Sequence, residues 1–170
     1  SSYIDFLITS DAITVDFTTG GIFMPRLGFY GKDDTVFNLK DDIIQDVLND
    51  RYNIGIEFDY GTFNTNNHTI TTSYIDFYTD EEGILTVNLG SSTINIDGEQ
   101  DEYGWYVAYT PTTLELIINA GTSTINFYIG AYGTLEMYGN GSTFNNVNII
   151  FRSGGEFYLM GSSVFSSLTV

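Results

Sequence analysis

The densest group of carboxylates in the sequence lies in one acidic stretch just past its midpoint. Asp97, Glu99 and Asp101 alternate there and Glu102 follows, as in the opening of a calcium-binding loop. The rest of that motif is missing, because its sixth position is Glu102 instead of glycine and its twelfth is Ala108 instead of glutamate. We therefore expect a solvated acidic loop, with Ca²⁺ bound by Asp97, Glu99 and Asp101 as the alternative.

Four aromatic side chains follow within the same segment: Tyr103, Trp105, Tyr106 and Tyr109. The flat apolar face of such a ring can stack on a sugar ring, so contact with a glycan is one interpretation. Packing of the segment onto the body of the protein is the commoner use of these side chains. We favour packing and keep glycan contact as the alternative.

The remaining candidates for chemistry are scattered along the chain. Glu115, Glu136 and Glu156 recur at steps of 21 and 20 residues, a spacing that could stack three carboxylates into one acidic column. His68 is the single histidine, and we interpret it as a surface residue because no cysteine or second histidine accompanies it. The sequence pairs no nucleophile with a base and singles out no pair of carboxylates for glycoside hydrolysis. We therefore expect neither a catalytic site nor a cofactor.

The net charge narrows the range of partners. The chain carries 22 acidic and 5 basic residues, for a formal charge of −17. Such a charge repels both a phosphate backbone and an anionic membrane surface, so we expect no nucleic-acid partner. No apolar run is long enough to span a bilayer, and we expect no membrane insertion. The absence of cysteine rules out disulfide and thiol chemistry.

The spacing of apolar residues is that of β-strands. In Leu85–Leu89, for example, apolar side chains alternate with Thr86 and Asn88, which is the period of two expected of a half-buried strand. Gly, Asn, Ser and Thr separate such runs throughout the chain. The only helix-like stretch, roughly Lys40 to Asn49, is short. This pattern predicts an all-β protein.

Internal repeats narrow the choice of fold. The motif SYIDF occurs at Ser2–Phe6 and at Ser73–Phe77, 71 positions apart, and the ITVDF and LTVNL segments that follow the two copies are 72 positions apart. Three coils of about 24 residues would account for this distance. At the other end of the chain, STFNNVNI (Ser142–Ile149) matches SVFSSLTV (Ser163–Val170) at a spacing of 21.

Apolar anchor residues extend the repeat over the whole chain. Their steps are 22, 26, 24, 31, 19 and 21 residues. A strand cannot slip by one residue without turning every side chain to the opposite face, so the long step should contain an insertion, within 97–113. Gln45–Tyr60 should contain a smaller one. We expect the later anchors, from Ile70 on, to point inward in one column. The anchors are Ile22, Ile44, Ile70, Ile94, Ile125, Phe144 and Phe165.

A unit of this size cannot bury its own apolar face and is stable only when it is stacked on copies of itself. We therefore predict an all-β, right-handed parallel β-helix (β-solenoid) with about 20–24 residues per coil and an inserted loop near 97–113. The segment 1–170 would form a single β-solenoid unit of a longer repeat protein. A β-sandwich or jelly roll of the same composition is the alternative.

Several phrases of the sequence resemble a recurring segment of very large surface proteins of Bacteroidota. The resemblance covers at least Gly61–Phe151, with Trp105 in a link between the second and third phrases. It points to the gliding-motility adhesins and other cargo of the type 9 secretion system. The phrases are GTFNTNNHTITTSYIDF, LTVNLGSSTINI, LELIINAGTSTINF and GSTFNNVNIIF.

The resemblance implies a secreted or surface-anchored rod without catalytic residues. We therefore expect a structural and adhesive role outside the cell, with neighbouring coils of the parent chain and surface glycans as partners. Asp34-Thr35-Val36 also resembles the O-glycosylation acceptor of these bacteria, which would place a sugar on Thr35. The alternatives are a module that binds or degrades polysaccharide and a segment of a phage tail fibre.

Overall fold

The fold consists of strands and turns arranged in three parallel sheets, here named A, B and C. No helix occurs in the residues that the structure, a computed structural model, describes. Those residues are 3–9, 13–32, 34–47, 54–77, 83–98, 102–107, 114–130, 133–139 and 141–170.

Each sheet is built from strands that are distant in sequence. In spatial order, sheet A contains β1 (Tyr3–Leu7), β4 (Arg26–Tyr30), β7 (Ile56–Phe58), β10 (Ile75–Phe77), β13 (Glu102–Val107), β16 (Thr134–Tyr138) and β18 (Glu156–Met160). Sheet B contains β2 (Thr14–Phe17), β5 (Val36–Leu39), β8 (Gly61–Asn64), β11 (Gly83–Asn88) and β14 (Leu114–Asn119). Sheet C contains β3 (Phe23–Met24), β6 (Ile43–Gln45), β9 (Thr69–Thr72), β12 (Thr93–Gly98), β15 (Thr124–Ile129), β17 (Thr143–Phe151) and β19 (Val164–Thr169).

The order of the strands shows that the chain winds as a solenoid. It visits sheets A, B and C in rotation, and each strand pairs in parallel with the strand one turn later, as β1 does with β4. About six turns are stacked in this way. Sheet B ends at β14, so the last turns of the described chain pass from sheet A to sheet C without a strand between them. The predicted all-β solenoid is therefore confirmed, and a sandwich is excluded because the paired strands are parallel.

Aromatic rings fill much of the interior along the rod axis. Phe6, Phe29, Phe58 and Phe77 share one register position of sheet A. The ring centroids of Phe29 and Phe58 are 5.4 Å apart, and those of Phe58 and Phe77 are 5.6 Å apart. Trp105 continues the stack, 5.0 Å from Phe77. Such pairs contribute about 0.5–1.5 kcal/mol each beyond their burial, so neighbouring turns are bound to each other through the core.

The turns between sheets B and C need unusual backbone angles. Asn66 and Asn67 adopt φ of 50° and 68°, and Gly121 adopts 57°. A side chain at Gly121 would place its Cβ 2.3 Å from the carbonyl oxygen of Gly90 in the turn before. Glycine is required at this corner because the stacked turns approach each other so closely.

The sequence repeats correspond to whole turns of the rod. Val15 and Val87 share a register position three turns apart, in line with the 72-residue repeat. Phe144 pairs with Phe165 one turn apart, in line with the 21-residue repeat. The 24- and 31-residue steps between Ile70, Ile94 and Ile125 are also those of the structure.

Four of the seven anchor assignments were wrong. Ile125 pairs with Val147, so Phe144 and Phe165 form a separate inward column that begins three residues earlier. Ile43 is the buried residue that pairs with Ile70, whereas Ile44 points outward and is 40% exposed. Ile22 is 65% exposed. For Ile44 and Phe144 the sequence shows the alternation but leaves the phase of the strand open, whereas Ile22 lies before β3.

The expected insertion near 97–113 is interrupted by a strand. Asp97 and Gly98 belong to β12, and β13 pairs with both β10 and β16 in sheet A. Ile94 and Trp105 are 11 residues apart, whereas the equivalent Ile70 and Ile75 of the turn before are 5 residues apart, so most of the additional length lies before Trp105. The other insertion, within Gln45–Tyr60, lies between β6 and β7, which is itself a strand of sheet A.

The strand and sheet assignments contradict two further expectations. The helix-like stretch Lys40–Asn49 contains strand β6, while its last two residues lie outside the described ranges. The three glutamates at steps of 21 and 20 cannot form one column, because Glu115 lies in sheet B and Glu136 and Glu156 lie in sheet A. Glu136 pairs with Tyr158, so even these two carboxylates occupy different register positions.

Candidate functional site

The outward face of sheet A carries a group of charged and phenolic side chains. Asp5, Gly28, Glu57 and Asp76 occupy one register position on four successive turns. Each acidic residue of this column is the middle residue of an Ile-acid-Phe triplet whose flanking residues are apolar. The pleat turns the isoleucine and phenylalanine inward and the carboxylate outward. Carboxylates of neighbouring turns are thereby brought together.

Glu57 is the centre of this group. Its carboxylate forms an ion pair with Arg26 of the preceding turn. The hydroxyl of Tyr30 donates to Glu57 Oε2 at 3.1 Å, and that of Tyr74 donates to Oε1 at 3.4 Å. The side chain of Glu57 is only 17% exposed, so these partners replace most of its water.

Glycines make room for the two tyrosines. A Cβ at Gly28 would lie 2.4 Å from Cε2 of Tyr30, and one at Gly55 would lie 2.1 Å from Cζ of Tyr74. The rings therefore rest directly on the backbone of sheet A and point their hydroxyls towards Glu57.

The electrostatics of the group differ among its members. Burial, aided by the negative charge of Glu57, raises the pKa of Asp76 to about 6. Oδ1 of Asp76 is buried and has no hydrogen-bond partner among the described residues. Burial and the charge of Glu57 also raise the pKa of Tyr30, to about 12, and that of Tyr74. The hydrogen bond to Glu57 raises the pKa of Arg26, which keeps the guanidinium charged.

The outward face of sheet B carries a ladder of amides instead. Asn38 Nδ2 donates to Asp16 Oδ1 at 3.1 Å, and each following asparagine donates to the one before it at 2.8, 2.6 and 2.7 Å. The ladder thus joins five successive turns. Lys40 forms an ion pair of 3.1 Å with Asp16 at its first rung. In order, the members are Asp16, Asn38, Asn64, Asn88 and Asn119.

The outward face of sheet C carries two columns of small polar side chains, which we name the sheet C array. In the second column, Asn126 donates to Asn95 at 2.9 Å, and Asn148 donates to Asn126 at 2.8 Å. The members are half-buried or exposed, and all are uncharged. The first column is Thr69, Thr93, Thr124, Asn146 and Ser167, and the second is Thr71, Asn95, Asn126, Asn148 and Thr169.

The acidic stretch is only partly described. Asp97 accepts two hydrogen bonds from the guanidinium of Arg152, at 2.9 and 2.7 Å, and the same guanidinium lies 4.9 Å from the ring centre of Tyr128. Both oxygens of Asp97 are therefore occupied. Glu99 and Asp101 lie outside the described residues, as do the surroundings of the Glu102 side chain. No cluster of three or more potential metal ligands occurs in the described part of the chain.

The four aromatic candidates do not form one platform. Trp105 is fully buried and packs against Phe77 and Phe144, so its ring has no face free for a sugar. Its indole nitrogen has no hydrogen-bond partner among the described residues. Tyr106 is half-buried on the outward face of sheet A, 5.0 Å from Tyr138. The side chain of Tyr103 and all of Tyr109 fall outside the described residues.

The structure also shows the surroundings of two single-residue candidates, His68 and Thr35. His68 is partly exposed beside Asp42, with Nδ1 3.5 Å from Oδ1 of that residue. Thr35 is fully buried, and its hydroxyl accepts a hydrogen bond from the amide of Lys32 at 2.9 Å. A sugar on Thr35 is incompatible with this packing, so the glycosylation hypothesis does not hold for the folded rod.

The sequence analysis missed the group around Glu57, although a signal was present. The triplets Ile4-Asp5-Phe6, Ile56-Glu57-Phe58 and Ile75-Asp76-Phe77 are copies of one pattern. Aligning them would have placed the three acids on one face of one sheet. We had instead assigned the second copy to an insertion.

Comparisons with protein-family models, with curated proteins and with solved structures found no match. No helix in the described part of the chain is long and apolar enough to span a membrane. The stacked turns and the three outward faces are therefore the features of this chain that bear on function.

Proposed function

We propose that this chain is a non-catalytic, structural and adhesive rod segment of a secreted or cell-surface bacterial protein. The observation that carries the proposal is the continuous stacking of the turns. Each turn is joined to the next by parallel strand pairing in the sheets, by aromatic packing inside and by amide ladders outside. A solenoid built in this way keeps its shape along its axis and can present one surface over many turns.

The amide ladders support a mechanical role in particular. A ladder bond joins side chains on neighbouring turns, so it resists their separation in addition to the backbone bonds. Net contributions of about 0.5–1.5 kcal/mol per hydrogen bond add up along a stack of turns. The resemblance to large Bacteroidota surface proteins supports an extracellular location for such a rod.

Single-molecule pulling between the two ends of the chain tests the rod. We expect force peaks separated by the length of single turns, because each turn contacts only its neighbours. A turn such as the one between Asn126 and Asn148 would release 22 residues, or roughly 75 Å of extended chain. Extension without resolved peaks would contradict a load-bearing stack.

A second candidate function follows from Glu57 and Asp76. Their strands are paired at this position, about 4.7–4.9 Å apart, so the two carboxylates project side by side from one face, and retaining glycosidases likewise use a pair of neighbouring carboxyl groups. The raised pKa of Asp76 suits a proton donor, and this would make the chain a polysaccharide-degrading module. We prefer the rod because Arg26, Tyr30 and Tyr74 already occupy both oxygens of Glu57.

An assay for release of reducing ends decides between the two functions. The rod hypothesis predicts no release above background by the unaltered protein on neutral and acidic polysaccharides. Activity that is lost in both Glu57→Gln and Asp76→Asn, and retained in Glu136→Gln on the same face, would establish the enzyme instead.

A further inference from the structure

The sheet C array differs from the rest of the surface in its charge. The chain carries a formal charge of −17, yet both columns of the array are uncharged over five successive turns. Two carboxylates border the array: Asp97 receives two hydrogen bonds from Arg152, and Asp42, one turn before Thr69, accepts a hydrogen bond of 2.8 Å from the amide of Thr69. A neutral partner could approach this face without the repulsion that the acidic groups of sheet A impose on an anion.

Its hydrogen-bonding groups are held in fixed directions. Asn126 uses one N–H and one oxygen lone pair in its bonds to Asn95 and Asn148. An amide has two N–H groups and two lone pairs, so a donor and an acceptor remain on this side chain. Because the ladder fixes the amide plane, the remaining groups of successive turns face the same way. A ligand would not have to order them first, which lowers the entropic cost of binding.

The spacing of the array suits an extended polymer. Members of one column repeat every 4.7–4.9 Å or so along the rod, and the two columns lie about 6.6–6.8 Å apart across it. The hydroxyls of a sugar both donate and accept hydrogen bonds, as the array does. A β-linked chain of neutral sugars presents such hydroxyls along both of its edges at regular intervals.

We propose that the sheet C array is the adhesion surface of the rod and that it binds a neutral, extended, β-linked polysaccharide lying along the columns. This inference rests on the proposed adhesive function and assigns its binding surface and ligand class. The polymer would receive hydrogen bonds from the second amide N–H groups and donate to the remaining oxygens of the columns. Contacts repeated over several turns add up, although each one is weak.

Sheet B provides a matched control. Its ladder has equivalent amide bonds, and Asn88 lies between Asn64 and Asn119 as Asn126 lies between its own neighbours. In the accompanying column of sheet B, Val36 and Ile117 interrupt the threonines, so the face offers no continuous second row of hydroxyls. The same substitution on the two faces therefore has the same structural cost and a different effect on binding.

Affinity electrophoresis of the whole chain in gels containing hydroxyethyl cellulose, mixed-linkage β-glucan or xylan tests the proposal. We expect retardation in at least one of these neutral polymers, unchanged between low and high salt, and none in polygalacturonate. Asn126→Asp should weaken retardation at least tenfold, whereas Asn88→Asp should leave it within twofold of the unaltered protein. Circular dichroism and thermal melting show whether both variants fold alike.

The proposal is overturned if none of the three neutral polymers retards the chain, if polygalacturonate retards it, or if the two variants lose binding equally. Should either variant fail to fold, Thr124→Glu and Thr86→Glu repeat the comparison in the hydroxyl columns. Absence of retardation of the unaltered protein, together with intact turn-by-turn resistance to pulling, would reject this adhesion surface and leave the rod in place. Loss of that resistance would reject the rod itself.

Discussion

Sheets A and C have the same strand geometry and share one core, yet their outward faces are stabilised in different ways. On sheet C, nearly identical small side chains recur on every turn from β9 to β19 and bond to their own copies. On sheet A, one register position holds Asp5, Gly28, Glu57 and Asp76, which cannot form a ladder. Arg26, Tyr30 and Tyr74, brought in from neighbouring positions, compensate the carboxylate of Glu57 instead.

The comparison shows how a repeat can diverge without losing its fold. Stacking requires an apolar residue at each inward position and permits any outward residue whose polar groups are satisfied. On sheet C, the outward polar side chains are copies of one another on successive turns, and they satisfy their polar groups by hydrogen bonding to those copies. Sheet A departs from repetition and needs a dedicated cation, Arg26, to hold Glu57. Loss of one member should therefore matter more on sheet A than on sheet C.

The largest effect should come from the core beneath both faces. Phe144→Ala removes a buried ring that lies 5.6 Å from Trp105 of sheet A and 5.8 Å from Phe165 of sheet C. We expect a loss of about 3–5 kcal/mol in the free energy of unfolding, measured by urea denaturation, because a cavity remains. Phe151→Ala is the control, since Phe151 is 45% exposed and should cost much less. Equal losses would show that Phe144 is not a core residue.

Breaking the ion pair of sheet A should have the next largest effect. Arg26→Met leaves the largely buried carboxylate of Glu57 without its cation, and we expect a loss of about 2 kcal/mol, reduced from the fully buried case because Arg26 is 43% exposed. Lys40→Met on sheet B removes an exposed partner of Asp16 and should cause no measurable loss. If the two variants are equally stable, the contrast between the faces is wrong.

The pH dependence of stability should distinguish the two kinds of carboxylate. The pKa of Asp76 is raised to about 6 in the fold, so its ionised form destabilises the folded state above that pH. As the pH falls from about 7 towards 4, the folded state takes up this proton before the unfolded state does, and stability rises. Asp76→Asn should therefore stabilise the protein at pH 7.5, by about 1–2 kcal/mol after allowance for partial exposure, and lose this advantage near pH 4.

The contribution of Asp16 to the pH dependence of stability should have the opposite sign to that of Asp76. Hydrogen bonds from Lys40 and Asn38 lower its pKa, so any stabilisation it contributes is present at neutral pH and is lost as the pH falls through its folded-state value. Denaturation at pH 7.5, 6.0 and 4.0 should show that Asp16→Asn has no stabilising effect at any of them. A stabilisation by Asp16→Asn that parallels that of Asp76→Asn would mean that both carboxylates share one environment.

The smallest effect should come from a single rung of a ladder. Asn88→Ala removes one donated and one accepted bond that are partly open to water, and we expect a loss of about 1 kcal/mol. Thr86→Ala, which changes an outward residue of the same strand, is the matched control and should cost less. A loss above that of Arg26→Met would contradict the expectation that losing one member matters more on sheet A than in an amide ladder.

The strand pattern and the length of most turns could be predicted from the sequence. Alternation of apolar residues is a local property, and the 21- and 72-residue repeats report whole turns because stacked turns need equivalent residues at equivalent positions. Two of the wrong anchors have local causes: Ile44 adjoins a second isoleucine, Ile43, and Phe144 is followed in β17 by two successive half-buried residues that change the phase of alternation. A shift by one residue, or by three, leaves the local pattern intact, so only the pairing of neighbouring strands resolves it.

The sequence by itself determined that the chain is built of stacked turns, since a short unit with one apolar face has no other way to bury it. The tertiary structure decided which outward side chains meet. Arg26 reaches Glu57, 31 residues away, and Arg152 reaches Asp97, 55 residues away, because turns of different length bring these positions together. The physical reason is that contacts within a turn depend on local spacing, whereas contacts between turns depend on the accumulated length of every turn between them.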